Sequence, residues 1–536
     1  MADTLQRLLR ERVEQDGVAV KYGERSWTWR EHLGEAAAQA AALISAADPQ
    51  RPLHVGVLLG NTPDMLTALA AAGLGGYVLC GINTTRRGEG LARDIKRVDC
   101  QIVLTDAEHR HLLDDLDHDA DLPGVTVIDV STGDWADLVA AAPALVPHRE
   151  VTADDTFMMI FTSGTSGDPK AVEVPHAMVL FSGSALVERY GLGGSDVCYL
   201  AMPLFHSNAV YAGWSVALSA GAAMAPAAFS ASRFLPDVRR YGATYMNYVG
   251  KPLAYILATA EQPDDADNTL RIAFGNEAAD RDIDEFGRRF GCAVWDGFGS
   301  TETAVIITRP EDCPTGSIGK GFPNVAVYDP ETMRECQVAR FDETGALVNA
   351  KAATGELVNT SGSGLFRGYY NDPGATDQRM RHGMYWSGDL AYRDADGWIY
   401  LAGRTADWMR VDGENLTAAP IERILLRLPA ISRVAVYPVP DEYVGDQVMA
   451  AIVLRDDAEL SPGAFAEFLA EQRDLSPKAW PRHVWIAVDL PSTATNKTLK
   501  RELVAMGTDP DGRVMWKRDG SSFHVHGERA VTGTDR

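Results

Sequence analysis

Apolar runs of strand length alternate with helix-like segments along most of the chain. Apolar and β-branched residues predict strands at 54–59, 102–105, 125–130 and 157–161, and a helix is expected to begin after Asn61-Thr62-Pro63. This alternation is typical of a mainly parallel α/β sheet. Residues 355–401 follow another pattern, with short alternating runs rich in glycine and aromatic residues, which predicts an antiparallel or barrel-like piece.

The pattern changes again at residues 403–407, where we place a domain boundary. Beyond it the sequence predicts a helix around 421–428, strands at 434–437 and 449–454, and a helix at 463–472. These elements are enough for one small compact unit. The polar segment 507–536 is expected to be loosely ordered.

One uncharged stretch, from Met65 to Ile82, is long enough to raise the question of a membrane span. It contains four glycines and is followed by Asn83-Thr84-Thr85-Arg86-Arg87. Because glycines and a charged flank interrupt a spanning helix, we predict instead a buried Ala-rich helix, a glycine turn and a strand. No integral membrane segment is expected.

Composition narrows the class of protein. The chain has 536 residues, of which 46% are hydrophobic and 23% charged, as in globular proteins of two or more domains. A formal net charge of −24 argues against nucleic-acid binding and against charge-driven docking on anionic lipid. The six cysteines include no CxxC pair and the amino terminus has no apolar signal core, so we expect a cytoplasmic protein without a zinc site or disulfide framework.

Residues 162–170, with the sequence TSGTSGDPK, form a candidate phosphate loop. Glycines let backbone N–H groups approach an anion closely, hydroxyl groups add donors, and Lys170 adds positive charge. The loop directly follows the predicted strand at 157–161, which is where α/β proteins bind nucleotides. A flexible Ser/Gly linker is the alternative, although linkers rarely follow an apolar strand directly. A Walker P-loop does not fit, because Pro169 precedes Lys170 and no Ser or Thr follows it.

TSGTSGDPK resembles the phosphate loop of the adenylate-forming superfamily of acyl-CoA synthetases, peptide-synthetase adenylation domains and luciferases. Further motifs match in the family's order between Trp27 and Lys497. The resemblance implies an α/β fold with a large N-terminal domain (1–404) of two α/β sheet subdomains plus a β-barrel-like piece, a small mobile C-terminal α/β domain (405–506) and a polar tail (507–536). It implies ATP, Mg²⁺ and coenzyme A as cofactors. The nucleotide-binding residues of the loop would be Thr162, Ser163, Gly164, Thr165, Ser166, Gly167 and Lys170.

The segment 296–302, DGFGSTE, resembles the family's aromatic-Gly-x-Thr-Glu motif. By this resemblance Phe298 would stack on adenine, Thr301 would donate to the α-phosphate, and Glu302 would bind magnesium, a cation that prefers oxygen ligands. The resemblance also gives Thr165 as a metal ligand and places Asp296, Gly297 and Gly299 in the nucleotide-binding loop. A glycine turn with a helix N-cap at Ser300 or Thr301 is the alternative.

Gly275-Asn276-Glu277 corresponds to the family segment that lines the adenine and the acyl entrance. Its Gly-Asn opening resembles the very-long-chain acyl-CoA synthetase subgroup, which usually has glycine where this chain has Glu277. A charged residue in a helix turn is the alternative interpretation.

Two motifs near the predicted boundary resemble ribose-binding and hinge segments of the family. Asp389 would accept hydrogen bonds from both ribose hydroxyls, and Arg404 would contact ribose or phosphate. Ala406 stands where relatives often have Asp or Lys at the hinge. Residues 412–415, DGEN, resemble the loop that shapes the pantetheine tunnel, with Gly413 and Glu414 as binding residues, although Asp-Gly equally favours a type I′ hairpin turn.

Lys497 ends a segment that resembles the family's carboxyl-terminal lysine motif, with Asn496 in place of the usual glycine. It would stabilise the negative charge that builds up during adenylation. Lys500 is a competing candidate, and a solvated lysine is the alternative. His206, in PLFHSN, resembles the histidine near the acyl site that shifts between the two half-reactions, although a packed structural histidine fits the pattern equally well.

Together the motifs resemble the actinobacterial fatty-acyl-CoA synthetases of the type that activates steroid side chains, and they predict an AMP-forming acid–thiol ligase. The partner would be a small-molecule carboxylate, a steroid side-chain acid by preference and a long-chain fatty acid as runner-up. An enzyme that passes acyl groups to a carrier protein, and a non-catalytic lipid-binding or transport homologue, stay open as alternatives. The sequence leaves open the acyl chain, the direction of the pathway and the oligomeric state, a homo-oligomer included.

Overall fold

The computed structural model describes residues 2–162, 169–310, 312–343, 345, 347–404, 408–411, 414–441, 445–492, 498–508 and 515–526. The chain forms two compact units. The first comprises Met1–Ile306 and Ser361–Gly383, and the second comprises Ile307–Thr360 and Met384–Arg536. Both units combine helices with sheets, which confirms the expected α/β class.

Strands and helices alternate through the first 306 residues. The strands are β1 (Val18–Tyr22), β2 (Arg25–Thr28), β3 (His54–Leu58), β4 (Val78–Gly81), β5 (Ile102–Thr105), β6 (Thr126–Asp129), β7 (Thr156–Thr162), β8 (Lys170–Pro175), β9 (Val197–Leu200), β10 (Ala223–Pro226), β11 (Tyr245–Val249), β12 (Ile272–Asn276) and β13 (Ala293–Asp296). The helices are α1 (Leu5–Arg12), α2 (Trp29–Ala46), α3 (Pro63–Gly75), α4 (Gly88–Arg97), α5 (His111–Asp114), α6 (His118–Asp121), α7 (Gly133–Ala140), α8 (His176–Tyr190), α9 (Ser207–Ala209), a π-helical turn (Val210–Trp214), α10 (Ser215–Ala220), α11 (Phe234–Tyr241), α12 (Lys251–Leu257) and α13 (Asp280–Phe290).

Strands dominate the rest of the chain. They are β14 (Ile307–Thr308), β15 (Gly319–Gly321), β16 (Val325–Asp329), β17 (Arg334–Glu335), β18 (Gly355–Asn359), β19 (Met380–Arg381), β20 (Met384–Arg393), β21 (Trp398–Arg404), β22 (Trp408–Val411), β23 (Glu414–Thr417), β24 (Ile431–Asp441), β25 (Gly445–Leu454), β26 (His483–Ala487), β27 (Met515–Asp519) and β28 (Ser522–His526). The helices are α14 (Ala350–Ala353), α15 (Pro373–Arg379), α16 (Ala418–Leu425), α17 (Pro462–Glu471), a 3₁₀ turn (Pro477–Ala479) and α18 (Lys500–Met506).

The first unit contains two sheets. One has the strand order β6–β5–β3–β4–β7–β8, and all its neighbours are parallel except β7 and β8. Strands β3, β4 and β5 are buried along their whole length, which explains why each is a continuous apolar run. The strands predicted at 54–59, 102–105, 125–130 and 157–161 are confirmed.

The second sheet has the order β13–β12–β11–β9–β10–β1–β2, and only β1 and β2 are antiparallel. Because parallel strands end at the same edge, residues that follow β12 and β13 lie close together. The two sheets are the two α/β subdomains that the resemblance implies. Within this unit the buried rings of Phe157 and Trp214 stack with centroids 5.6 Å apart and planes within 2° of parallel.

The uncharged stretch from Met65 to Ile82 folds as predicted into a buried helix, a glycine turn and a strand. Helix α3 has Pro63 at its first position, and it ends at Gly76, whose φ of 69° lies in the left-handed region. A Cβ atom at Gly76 would lie 2.2 Å from the carbonyl oxygen of Arg149, so only glycine fits this turn. Within the described part of the chain, no helix combines the length and apolar character needed to cross a bilayer.

The second unit contains an antiparallel sheet with the order β14–β15–β21–β20–β18–β16–β17. This confirms the antiparallel piece that the alternating pattern of residues 355–401 predicts. A further sheet, with the order β23–β22–β25–β26–β27–β28 and β24 paired to β25, forms a separate core with α16 and α17. The four elements predicted between 421 and 472 are present, with α16 beginning three residues earlier than expected.

The loose order expected beyond residue 507 is wrong for residues 515–526. Strand β27 pairs with β26, and β28 returns antiparallel to β27. The side chains of Trp516 and Phe523 are buried, and their ring centroids lie 5.8 and 5.2 Å from that of Phe465 in α17. Two aromatic residues therefore anchor a hairpin that the polar composition of the segment obscured. The domain boundaries placed at 404/405 and 506/507 stay predictions.

Candidate functional site

The candidate phosphate loop connects two antiparallel strands of the first sheet. Strand β7 ends at Thr162, β8 begins at Lys170, and these two residues are paired across the ladder. Ser163, Gly164, Thr165, Ser166 and Gly167 lie outside the described residues. The ammonium of Lys170 lies 5.2 Å from the centroid of the Tyr369 ring. Burial, followed by the charge of Arg379, lowers the pKa of Lys170.

The second predicted motif lies at the carboxyl edge of the other sheet of this unit. Gly275 and Asp296 are paired in the parallel strands β12 and β13. The backbone N–H of Gly297 donates to the carbonyl of Gly275 at 2.8 Å, and the side-chain amide of Asn276 donates to the carbonyl of Gly297 at 2.6 Å. The structure thus brings Gly275, Asn276, Asp296 and Gly297 together, although 18 residues lie between the segments 275–277 and 296–302 in the chain.

Side-chain hydrogen bonds stabilise the carboxyl edge of this sheet. Asn247 donates to Asn208 at 2.7 Å, and Asn208 donates to Asn276 at 3.0 Å. The hydroxyl of Tyr248 donates to the carboxylate of Asp296 at 3.1 Å. The network connects α9, β11, β12 and β13, so the loop after β13 is positioned by several elements.

Glu277 follows β12 in a left-handed conformation, with a φ of 65°. Such a conformation is unfavourable for residues other than glycine. The residue belongs to a bend between β12 and α13, so the alternative of a helix-turn residue is wrong.

Thr301 and Glu302 both form hydrogen bonds with hydroxyl groups of other elements. The hydroxyl oxygens of Ser207 and Thr301 lie 2.9 Å apart, and the hydroxyl of Tyr211 donates to the backbone carbonyl of Thr301 at 3.0 Å. The buried carboxylate of Glu302 accepts a hydrogen bond of 2.7 Å from the hydroxyl of Tyr369. Phe298 is half-buried and Gly299 exposed in the loop before them. No helix begins within residues 300–310, all of which are described, so the N-cap alternative is wrong.

His206 precedes α9 and contacts Phe205, with ring centroids 4.5 Å apart. Its Nε2 atom is buried and has no hydrogen-bond partner among the described residues. Burial lowers the pKa of His206 to about 4, so the ring is neutral at physiological pH. A neutral ring with an unpaired buried nitrogen can form a hydrogen bond with a polar atom of a substrate.

The predicted ribose-binding pair lies in the second unit. Asp389 in β20 is paired with Arg404 in β21, and Asp389 is buried. Next to it, the backbone N–H of Gly388 donates to the carboxylate of Glu356 at 2.6 Å. The side chain of Arg404 lies outside the described part of the structure. The ladder therefore places two backbone positions side by side that are 15 residues apart in sequence.

The remaining predicted residues lie in or beside undescribed segments. Strands β22 and β23 are antiparallel neighbours in which Val411 is opposite Glu414. Gly413 and the side chain of Glu414 lie outside the described part of the structure. Lys497 is also outside it, although Ser492 and Thr498 on either side form a β-bridge. The competing Lys500 forms an ion pair of 2.9 Å with Glu422.

Two family models match this chain. The model of the AMP-binding enzymes covers residues 9–370, and the model of the C-terminal domain of AMP-binding enzymes covers residues 420–497. The chain belongs to the AMP-binding enzyme family.

Curated relatives agree with this membership, and a solved structure shares the fold. A medium/long-chain-fatty-acid–CoA ligase of Mycobacterium marinum is 52% identical over 503 residues, which cover 93% of this chain and 96% of that protein. A steroid-22-oyl-CoA synthetase of Rhodococcus jostii is 45% identical over 504 residues, or 93% and 90% of the two chains. The crystal structure of ATP-bound MatB from Rhodopseudomonas palustris shares the fold, with a TM-score of 0.82 at 24% identity over 95% of this chain and 99% of that one.

This member of the AMP-binding enzymes is an AMP-forming acid–thiol ligase, in a family whose acyl-CoA ligases use ATP and coenzyme A as substrates. The resemblance to actinobacterial fatty-acyl and steroid side-chain ligases is confirmed. The roles of the individual site residues stay predictions.

The structure adds residues to the site of this ligase that the motifs alone did not show. Tyr211, Tyr369 and Asn208 contact predicted site residues directly, and Asn247 donates a hydrogen bond to Asn208. Asn208 ends the PLFHSN motif, and its position two residues after His206 could have identified it as a candidate site residue. Tyr369 offered none, because its contact with Glu302 joins residues 67 positions apart.

Proposed function

We propose that this ligase activates a hydrophobic carboxylate, either a steroid side-chain acid or a long-chain fatty acid, through an acyl-adenylate to its CoA thioester. The observation that carries the proposal is the placement of Lys170 and Glu302 around one side chain. Lys170 lies 5.2 Å from the Tyr369 ring, and Glu302 accepts the Tyr369 hydroxyl hydrogen at 2.7 Å. The contacts of Lys170 and Glu302 with one tyrosine support the proposal that the lysine binds phosphate and the carboxylate binds a metal ion in one site.

The nucleotide would be bound by residues from several of the predicted motifs. Thr162 and Lys170 flank the loop that would hold the phosphates, and Phe298 with Gly275 and Asn276 would face the adenine. Asp389, with a carboxylate suited to a diol, would accept the ribose hydroxyls, and Arg404 would lie next to it. The pairing of Asp389 with Arg404 in adjacent strands supports this assignment.

Magnesium fits Glu302, because a buried carboxylate supplies the oxygen ligand that Mg²⁺ prefers. Thr165, outside the described residues, is the second ligand that we propose. The ion would neutralise phosphate charge during adenylation, and Thr301 would donate a hydrogen bond to the α-phosphate.

Each half-reaction would use a different loop of the C-terminal domain, which we place at residues 405–506. Lys497 would stabilise charge on the carboxylate and α-phosphate in the first half-reaction. The ion pair of Lys500 with Glu422 supports Lys497 over its competitor, because Lys500 is already engaged. In the second half-reaction, Gly413 and Glu414 would shape the pantetheine tunnel through which the CoA thiol attacks.

The acyl group would lie near His206, whose neutral ring has an unpaired Nε2 atom. A steroid-22-oyl-CoA synthetase and a medium/long-chain-fatty-acid–CoA ligase are both close relatives, which supports a bulky apolar acid over a small polar one. We propose a cytoplasmic location, which the six free cysteines support.

Single-turnover product analysis tests the proposal. The enzyme is mixed with ATP, Mg²⁺ and a panel of steroid side-chain acids and fatty acids of increasing length, with and without CoA. We expect AMP and acyl-CoA only when both a panel acid and CoA are present. Acyl-AMP that never reaches CoA would favour transfer to a carrier protein, and the absence of adenylate with every acid would contradict the proposal.

A further inference from the structure

The carboxylate of Glu302 is held by a tyrosine that belongs to a distant part of the sequence. Tyr369 donates its hydroxyl hydrogen to Oε1 of Glu302 at 2.7 Å, and the side chains are 5% and 7% exposed. In buried surroundings a hydrogen bond to a charged acceptor fixes the acceptor's orientation more firmly than one between neutral groups.

The direction of this hydrogen bond is defined. The phenol of Tyr369 carries an O–H donor and the carboxylate of Glu302 is an acceptor, so the hydrogen in the 2.7 Å contact belongs to Tyr369. Arg379 donates from Nε to the same phenol oxygen at 3.3 Å. Since the oxygen already accepts from Arg379, its own hydrogen is directed at Glu302.

Tyr369 is itself fixed on the strand that begins at Lys170. The backbone N–H of Glu173 donates to the carbonyl of Gly368 at 3.1 Å, and the N–H of Tyr370 donates to the carbonyl of Ala171 at 2.8 Å. The N–H of Tyr369 donates to the hydroxyl of Thr376 at 3.0 Å. The strand that leaves the phosphate loop therefore sets the position of the tyrosine.

The geometry points to Tyr369 as a positioning residue that orients the Glu302 carboxylate for magnesium and couples it to the strand at Lys170. This inference rests on the proposed magnesium role of Glu302. Because Oε1 accepts the tyrosine hydroxyl hydrogen, Oε2 would be the oxygen left to bind magnesium. Removing a residue that orients a metal ligand in this way typically lowers metal affinity or activity about 10- to 100-fold.

The chain provides a matched control one residue away. The hydroxyl of Tyr370 donates to the carboxylate of Asp99 at 2.9 Å, in an exposed pair. Tyr369→Phe and Tyr370→Phe each remove one hydroxyl that is bonded to one carboxylate. Only the first removes a bond to Glu302.

The test measures acyl-adenylate formation as a function of Mg²⁺ concentration, and ATP binding by calorimetry with and without Mg²⁺. For Tyr369→Phe we expect the half-saturating Mg²⁺ concentration to rise about tenfold, with the rate largely restored at saturating Mg²⁺. ATP binding without Mg²⁺ should stay at the wild-type value, and Tyr370→Phe should match the wild type in both assays. Equal Mg²⁺ dependence in the two variants would overturn the inference.

A double-mutant cycle with Glu302→Gln separates this inference from the proposed function. If Tyr369 acts through Glu302, adding Tyr369→Phe to Glu302→Gln should not change the Mg²⁺ dependence further. If Glu302→Gln itself keeps the wild-type Mg²⁺ dependence, the proposed metal role fails. If Glu302→Gln shifts it and Tyr369→Phe does not, only the role of Tyr369 fails.

A second variant covers the case in which Tyr369→Phe does not fold. Arg379→Lys removes the Nε donor that directs the phenol and leaves the tyrosine in place. We expect a smaller shift of the Mg²⁺ dependence in the same direction. Wild-type Mg²⁺ dependence in folded Arg379→Lys would contradict the directed hydrogen bond.

Discussion

The hydroxyl oxygens of Ser207 and Thr301 lie 2.9 Å apart, although 94 positions separate the two residues in the sequence. Ser207 begins α9, directly after His206, and Thr301 belongs to the predicted phosphate-contacting motif. The contact joins the proposed acyl side of the site to its nucleotide side.

Removing this contact should slow adenylation without unfolding the protein. For Ser207→Ala we expect kcat/KM for acyl-adenylate formation to fall about three- to tenfold, since a hydrogen bond between neutral groups is worth about 1 kcal/mol. Pyrophosphate release measures the rate. Ser232→Ala, which removes a hydroxyl from the exposed pair Ser230–Ser232, is the control and should match the wild type. An unchanged rate in Ser207→Ala would show that Thr301 is positioned without it.

Glu277 should tolerate glycine better than a β-branched residue, because its φ is 65°. We expect Glu277→Gly to be more stable than Glu277→Val by at least about 1 kcal/mol in urea unfolding. Glu335 in strand β17 is the matched control, since valine should be preferred over glycine in a strand. The same order of stability at both positions would contradict the argument from backbone conformation.

Buried neutral histidines should make the protein sensitive to acid. Burial lowers the pKa of His32 from the usual 6.5 to about 4, so between these values the unfolded chain binds a proton that the folded protein does not. The stability is therefore complete above pH 6.5 and falls as the pH approaches 4. His32→Phe should reduce the stability loss between pH 7.5 and 5 by about 2 kcal/mol. His111→Gln, at an exposed position, should leave the loss as in the wild type.

Lys497 should matter for adenylation and not for thioester formation. We expect Lys497→Ala to slow acyl-adenylate formation about 100- to 1,000-fold, since it removes charge stabilisation of the transition state. The conversion of supplied acyl-AMP to acyl-CoA should change far less. Lys500→Ala, which breaks the ion pair with Glu422, is the control and should keep most adenylation activity. A parallel loss of both half-reactions in Lys497→Ala would show that the role assigned to Lys497 is wrong.

Gly413 should show the opposite selectivity. A bulky side chain there, as in Gly413→Trp, would obstruct the loop proposed to shape the pantetheine tunnel. Thioester formation from supplied acyl-AMP should fall about tenfold or more, whereas adenylation stays near the wild-type rate. Asp396→Trp, at an exposed turn, is the control. Wild-type thioester formation in Gly413→Trp would rule out this role of the loop.

Several expectations failed for identifiable physical reasons. The polar segment beyond residue 507 contains the hairpin β27–β28, because Trp516 and Phe523 pack against Phe465 in spite of their polar neighbours. The N-cap alternative at Ser300 and Thr301 failed because irregular backbone and not a helix follows these residues, while the hydroxyl and carbonyl of Thr301 are bonded to Ser207 and Tyr211.

The sequence by itself determined the strands and helices with strong periodicity and the family to which the ligase belongs, and it placed the candidate phosphate loop directly after β7. These features are local, since apolar runs, glycine turns and hydroxyl-rich loops depend on residues close together in the chain. The tertiary structure alone decided that Tyr369 contacts Glu302 and that Asn276 contacts Gly297. The first contact depends on how segments distant in the chain pack against each other, and the second on which strands become neighbours at a sheet edge. No local pattern of residue types encodes either choice.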